Sequence, residues 1–257
     1  MTTIVDELML RFGRHNDAKN AKHLLPHFER ALSVPNKLNE KCAEAKADKH
    51  LSETGRTAKV RDVAPSFAPD VIKAKSAAAL ARRDIQRQRD ALTPRVTDHK
   101  DVASAMLRLD LRQFLRGKPV AEIARLAEQN PSMLEAIFEG PAALSGLTDE
   151  VRGHILSQHL NKTAAPQMRE IAEQEVLAEV LETAVAIASN ALADAAGIRP
   201  QSIDSWLAEQ APAEAKAAAE ALAAPRPLKS QSATPGPHPF DKILAEARAE
   251  VAAINLQ

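Results

Sequence analysis

This sequence specifies an all-α protein, on three grounds. Residues 166–197 read PQMREIAEQEVLAEVLETAVAIASNALADAAG. They open with a proline, whose missing N–H is harmless in a first helical turn, and end in a glycine that can take the left-handed conformation closing a helix. Residues 69–93 place Val71, Ala74, Ala78, Ala81, Ile85, Gln88 and Leu92 at alternating steps of three and four, the narrow seam of a coiled coil. Glycine is scarce, at 8 in 257 residues, and the apolar/polar alternation that marks a half-buried strand is almost lacking.

The seams are rich in alanine and poor in large side chains. Aromatic residues make up 3% of the chain, with no tyrosine and one tryptophan, Trp206. Burial stabilises by about 25 cal/mol per Å² of apolar surface, so alanine seams favour slender, elongated helix packing over a thick globule. Cys42 is the single cysteine and cannot form an internal disulfide. The first nine residues include Asp6 and Glu7 and lack the basic start of a secretory signal. No apolar run approaches the ~18 residues of a membrane span. The expectation is a cytoplasmic chain with no membrane partner.

The net charge of zero averages two opposite halves. Residues 1–118 hold 24 Lys/Arg against 15 Asp/Glu, which gives +9, and residues 119–257 hold 10 against 19, which gives −9. Such halves suit head-to-tail self-association, or a basic arm on an anionic partner, or a solvated helix surface with no partner.

Taken from the N-terminus, Thr3 opens a helix whose apolar patch is Ile4, Val5, Leu8, Met9 and Phe12, before Gly13. A run over residues 17–32 is interrupted by Pro26, which lacks a backbone donor and clashes with the preceding turn. Asn36 caps a polar run to Gly55 whose stripe, Leu38, Cys42, Ala45 and Leu51, is thin. A helix with so little to bury is marginal alone, so residues 1–55 read as a mobile arm. Residues 56–68 read as a linker, and residues 56–97 as that linker together with the 69–93 helix. Lys73, Lys75, Arg82, Arg83, Arg87 and Arg89 coat the other faces of that helix. The coat suits nucleic acid or, as the preferred reading, the acidic helix at 166–197.

Residues 98–165 predict a bundle of short helices. Asp98 can cap a helix carrying Val102, Met106, Leu107, Leu109, Leu111, Phe114 and Leu115, which stops at Gly117. Val120, Ile123, Leu126 and Ala127 mark the next. Asn130-Pro131 is a cap and first-turn proline launching Met133, Leu134, Ile137 and Phe138. After an apolar loop at 142–147, Thr148 caps a helix through Val151, Ile155, Leu156 and Leu160. The long helix follows, with Leu177, Leu181, Ala184, Ala188 and Ala191 as its packing seam, and residues 166–224 form it together with a helical corner. Residues 225–239, PRPLKSQSATPGPHP, predict a polyproline-biased linker. It tethers a terminal amphipathic helix at 240–257, whose Phe240, Ile243, Leu244 and Val251 would dock in a partner's groove.

One resemblance accompanies this order. LRLDLRQFLRG, then EIARLAEQNPSMLEAIFEGPAALSGLTDEVRGHIL, then the long Glu/Ala helix cover about residues 98–197. The arrangement resembles uncharacterised helical proteins encoded among tailed-phage and prophage structural genes. The stretch from Met133 to Leu147 is its most recognisable piece. The resemblance implies a part in phage particle structure or assembly and supplies no functional residues.

Residues 189–207, SNALADAAGIRPQSIDSWL, also resemble the helix-turn-helix of phage repressors. Arg199, Gln201, Ser202 and Ser205 would then face the major groove. Residues 166–224, however, hold three Lys/Arg and ten Asp/Glu, net −7, and phosphate neutralisation dominates affinity for DNA. Nucleic acid is the disfavoured partner. His23 and His27 share a helix face at a spacing of four, but no third ligand completes a metal set. No glycine-rich phosphate loop or catalytic constellation is present, so neither an enzyme, a cofactor nor a small-molecule substrate is expected. The expected function is a non-enzymatic structural or interaction protein, self-associating or binding other proteins, in the host cytoplasm or a virion. A DNA-binding regulator using residues 189–207 is the alternative.

Overall fold

The computed structural model describes residues 3–94 and 101–224, and all regular structure in them is helical. In order the helices are α1 (Ile4–Gly13), α2 (Ala21–Ala47), α3 (Glu53–Val63), α4 (Ala68–Leu92), α5 (Val102–Leu115), α6 (Val120–Gln129), α7 (Pro131–Phe138), α8 (Asp149–Thr163), α9 (Ala165–Ala196), α10 (Ile203–Gln210) and α11 (Pro212–Ala223). Short 3₁₀ turns at Ala64–Phe67, Ala142–Ser145 and Pro200–Ser202 join neighbours. The all-α class is as the periodicity specifies.

Helix α9, with 32 residues, is about 48 Å long at 1.5 Å per residue. It ends at Gly197, whose φ of 68° lets Ile198 N–H reach the Ala193 carbonyl at 3.0 Å, the closing bond of a Schellman cap. The guanidinium of Arg61 lies over this glycine, so close that an added Cβ would meet Nη2 at 2.9 Å.

Leu177, Leu181, Ala184 and Ala188 are fully buried, and Ala191 is partly buried. A second stripe, Ala178, Val185 and Leu192, is buried beside the first. Two stripes are needed because α9 packs on α2 and α4 together. Helix α2 runs parallel to it. Asn20, before α2, bonds Gln174 near the start of α9, whereas Leu38 and Ala45 near the end of α2 share a cleft with Ala191 and Ala195. Helix α4 runs antiparallel, as Arg89 pairs with Glu175 and Arg82 with Glu182. On α4, Val71, Ala74, Ala78, Ala81 and Ile85 are all buried, on the seam expected of them. Helix α11 lies along α4 in the same direction, with Lys73 against Glu214 and Arg83 donating to the Leu222 carbonyl.

The N-terminal segment departs from the expected mobile arm. Phe12 and Phe28 are both buried and stack with ring centroids 4.6 Å apart. Leu8, Leu24, Ala31, Leu32, Val34 and Leu38 join the same core as α4 and α9. Neither Pro26 nor Pro35 ends α2, which continues for 27 residues. A proline inside a helix costs about 3 kcal/mol. Burying several Phe and Leu side chains at about 1.5–3 kcal/mol each outweighs that cost. The stripe judged thin is in fact one continuous three-four seam, Leu24, Phe28, Ala31, Pro35, Leu38, Cys42 and Ala45. Asn36 lies inside α2, exposed, and caps nothing.

Residues 56–68, expected as a linker, form most of α3 and a 3₁₀ turn leading into α4. The reversal between α2 and α3 is built by Asp48, which accepts from His50 N–H at 3.0 Å, and by Ser52, which accepts from Gly55 N–H at 3.1 Å.

The expectation that no stretch reaches spanning length needs correction. Among the described residues α9 alone is long and apolar enough to cross a membrane by length and composition. Half of its apolar window is buried by its neighbours, and the two glutamates Glu179 and Glu182 meet Arg11 and Arg82. Residues 225–257, with the expected linker and docking residues Phe240, Ile243, Leu244 and Val251, lie outside the described residues.

Candidate interaction surfaces

Helices α5 to α8 enclose a second core of their own, formed by Leu115, Ile123, Ala127, Met133, Leu134, Ile137, Ala142, Leu147 and Ile155. Its caps follow the sequence closely. Asn130 accepts from Ser132 N–H at 2.9 Å before Pro131, and Thr148 Oγ1 accepts from Val151 N–H at 3.3 Å. The cap of α5 falls at Asp101, whose carboxylate accepts from Ser104 N–H at 3.1 Å. The apolar loop at 142–147 closes through Gly146, with φ 72°, and Leu147 N–H bonds the Ala142 carbonyl at 3.1 Å. That backbone reversal turns Leu147 into the core.

Helix α5 is fixed to this core by its Arg108–Leu115 side. Arg108 is 5% exposed and donates Nε to Glu139 at 3.0 Å, and Arg112 donates to the same carboxylate. Burial pushes the Glu139 carboxyl up, but the guanidiniums of Arg112 and Arg108 together hold it below the ordinary carboxylate value. The clamp locks the rotation of α5, and so decides which face is left outside.

That outer side carries most of the large apolar side chains of α5, beside Asp110 and Gln113. Val102 is 69% exposed, Met106 63%, Leu107 52%, Leu109 48% and Phe114 52%. Sequence reasoning placed these residues in a bundle core. The signal that they could not all be there was present: Leu107 and Leu109 are two apart and stand on opposite flanks of the helix, so one core cannot cover both. Only one side of α5 receives it.

The corner at 189–207 consists of the end of α9, the turn at Gly197, a 3₁₀ turn and the start of α10. Arg199, Gln201, Ser202 and Ser205 are exposed, while Ile203 and Trp206 are half-buried against the main core beside buried Leu207. The proposed reading helix α10 is eight residues long and carries Asp204 in its first turn, which pairs with Lys75. Its surroundings therefore oppose phosphate. The basic coat of α4 is largely taken by carboxylates: Lys73 by Glu214, Lys75 by Asp204, Arg82 by Glu182 and Arg89 by Glu175.

Where α2 and α9 end, a cleft of about 650 Å³ opens, lined by Leu38, Cys42, Ala45, Arg56, Ala191 and Ala195 among others. Small residues meet small residues there and leave the space unfilled. Arg56 spends Nε and Nη2 on the Asp48 carbonyl. His23 and His27 stand edge to face with centroids 5.8 Å apart. Among the described residues no group of three or more His, Cys, Asp or Glu is placed to hold a metal.

No protein-family model matches the chain, and no curated protein or solved structure matches it.

Proposed function

We propose that the protein is a non-enzymatic interaction protein that docks another protein through the outer face of α5. The observation that carries this reading is the apolar surface of Val102, Met106, Leu107, Leu109 and Phe114 on a helix whose opposite side is clamped to its own core. Val102 and Leu109 lie on one flank of the exposed side, Leu107 and Phe114 on the other, with Met106 between them, and exposed large apolar side chains gathered on one side of a helix mark interaction sites. Helix packing in a phage particle or its assembly is the setting that the resemblance of residues 98–197 implies. Co-expression with the products of neighbouring genes, followed by light scattering, tests the reading. A complex that forms with the wild-type chain and is lost in Phe114→Glu, with helicity kept, supports it. A complex indifferent to Phe114→Glu sinks it.

A further inference from the structure

We propose that the cleft between α2, α3 and α9 binds an uncharged single-chain amphiphile, an alkyl chain ending in a hydroxyl or carbonyl. The cleft shares no residue with the α5 face. Each of its three walls is one side of a helix, with lining residues at steps of three and four. Leu38, Cys42 and Ala45 of α2, Val60 of α3, and Ala191 and Ala195 of α9 make it mainly apolar.

The shape of the cleft selects a chain. It follows α2 from Pro35 to Lys46, about 16 Å at 1.5 Å per residue. Its volume of about 650 Å³ spread over that length gives a mean section of about 40 Å², half or less of that of a helix 10–12 Å across. A partner helix therefore does not fit. An extended peptide is narrower, but its N–H and C=O groups would need partners. The walls are helices, which spend their own backbone groups internally. An alkyl chain makes no such demand, and about ten carbons with a polar end extend over this length.

The charges select the head. Lys46 and Arg56 line the cleft together with Glu53 and Asp194, two of each sign. Neither an anion nor a cation gains from that set what it loses by leaving water, whereas a neutral head loses little. Arg56 alone among the four is half-buried. Its Nε and Nη2 hold the Asp48 carbonyl, which fixes the guanidinium and leaves Nη1 to donate to a hydroxyl or carbonyl oxygen. Because the chain reverses between α2 and α3, Arg56 stands toward the Lys46 end, with Pro35 and Val60 toward the other. The polar end of the ligand lies at Arg56 and its tail runs to Pro35 and Val60.

Cys42 is the one cysteine of the chain and lines this cleft, so its labelling by a thiol reagent reports occupancy. On the full-length protein, 1-decanol below its solubility limit should slow that labelling about tenfold and raise the melting temperature. 1-Octanol should bind about tenfold more weakly, each buried methylene being worth about fourfold. Ala195→Leu and, on another wall, Val60→Phe should each abolish the effect of decanol with native circular dichroism, since both positions are partly exposed. Labelling indifferent to decanol overturns the inference, as does an undiminished effect in either folded variant. Decanoate or decylammonium protecting Cys42 as well as decanol overturns the uncharged class. Each of these results leaves docking at α5 untouched.

Discussion

Gln174 shows how a single residue can set the register of a bundle. It is 1% exposed in the middle of an apolar seam, yet its amide is fully used. Its Oε1 accepts from Asn20 Nδ2 at 3.0 Å and from Gln88 Nε2 at 2.9 Å, and its Nε2 donates to Gln88 at 3.2 Å and to Glu170 at 3.4 Å. One polar layer thus ties the start of α2, the end of α4 and the start of α9. A slip of any helix by one turn would leave these groups buried without partners, which costs about 1–3 kcal/mol each. Gln174→Ala should therefore lower unfolding stability by roughly 1–3 kcal/mol in urea, and an unchanged midpoint would remove the layer as a register device. The sequence lists Gln88 as one residue of the α4 seam but gives no hint of its partners, because a hydrogen-bonded layer across three helices leaves no mark on the periodicity of any one.

His27 makes a second prediction at this scale. Its Nδ1 is buried with no hydrogen-bond partner. Desolvation first, then the nearby charges of His23, Arg30 and Lys73, hold its pKa below the ordinary 6.5. A histidine held neutral by the fold contributes stability that is whole above the unfolded value. As pH falls below about 6.5 the unfolded chain takes the proton before the folded one does, and stability declines until the folded group titrates too. The melting temperature of the wild type should drop between neutral and mildly acidic pH, and His27→Gln should flatten that part of the profile. Equal slopes for the two proteins would refute this.

At the scale of the helix, α9 and α5 mark where the pattern could be read and where it could not. The seam of α9 was legible because Ala and Leu recur on one side over many turns, and the proline and glycine at its ends mark its limits to within a residue. Helix α2 was not legible. Its two prolines signal breaks, and only the energy of packing Phe28 and Leu24 on α9 overrides them. For α5 the composition was clear but the orientation was not, since the clamp of Arg108 and Arg112 on Glu139 joins residues 27 and 31 positions apart. The seam itself is open to test. Leu181 is fully buried in the core that α9 shares with α2 and α4, and an unpaired carboxylate there is poorly solvated. Leu181→Asp should cost more than about 4 kcal/mol, seen as loss of cooperative melting by circular dichroism. A folded variant with a near-native transition would show that α9 does not organise the core.

For the whole molecule, the opposed charges of the two halves find their counterparts within the chain. Arg11 meets Glu179, Lys19 meets Glu170, and Lys73, Lys75, Arg82 and Arg89 meet Glu214, Asp204, Glu182 and Glu175. Exposed pairs of this kind contribute up to about 1 kcal/mol each and are screened by salt. They select which helix lies beside which, while the buried seams supply most of the stability. This division of labour makes the first 47 residues part of the body. Without α1 and α2 the chain would lose Phe12, Phe28, Leu24 and Leu38 from the core, and one apolar side of α9 would face water over its whole length. The second core around Leu115, Ile137 and Ile155 shares none of those residues. A chain beginning at residue 48 should therefore keep part of its helical signal, from α5 to α8, while the main cooperative transition disappears and a dye for exposed apolar surface binds. A shortened chain that melts cooperatively, within a few degrees of the full-length protein, would instead restore residues 1–47 to the status of an appendage and leave α4 and α9 to hold each other alone.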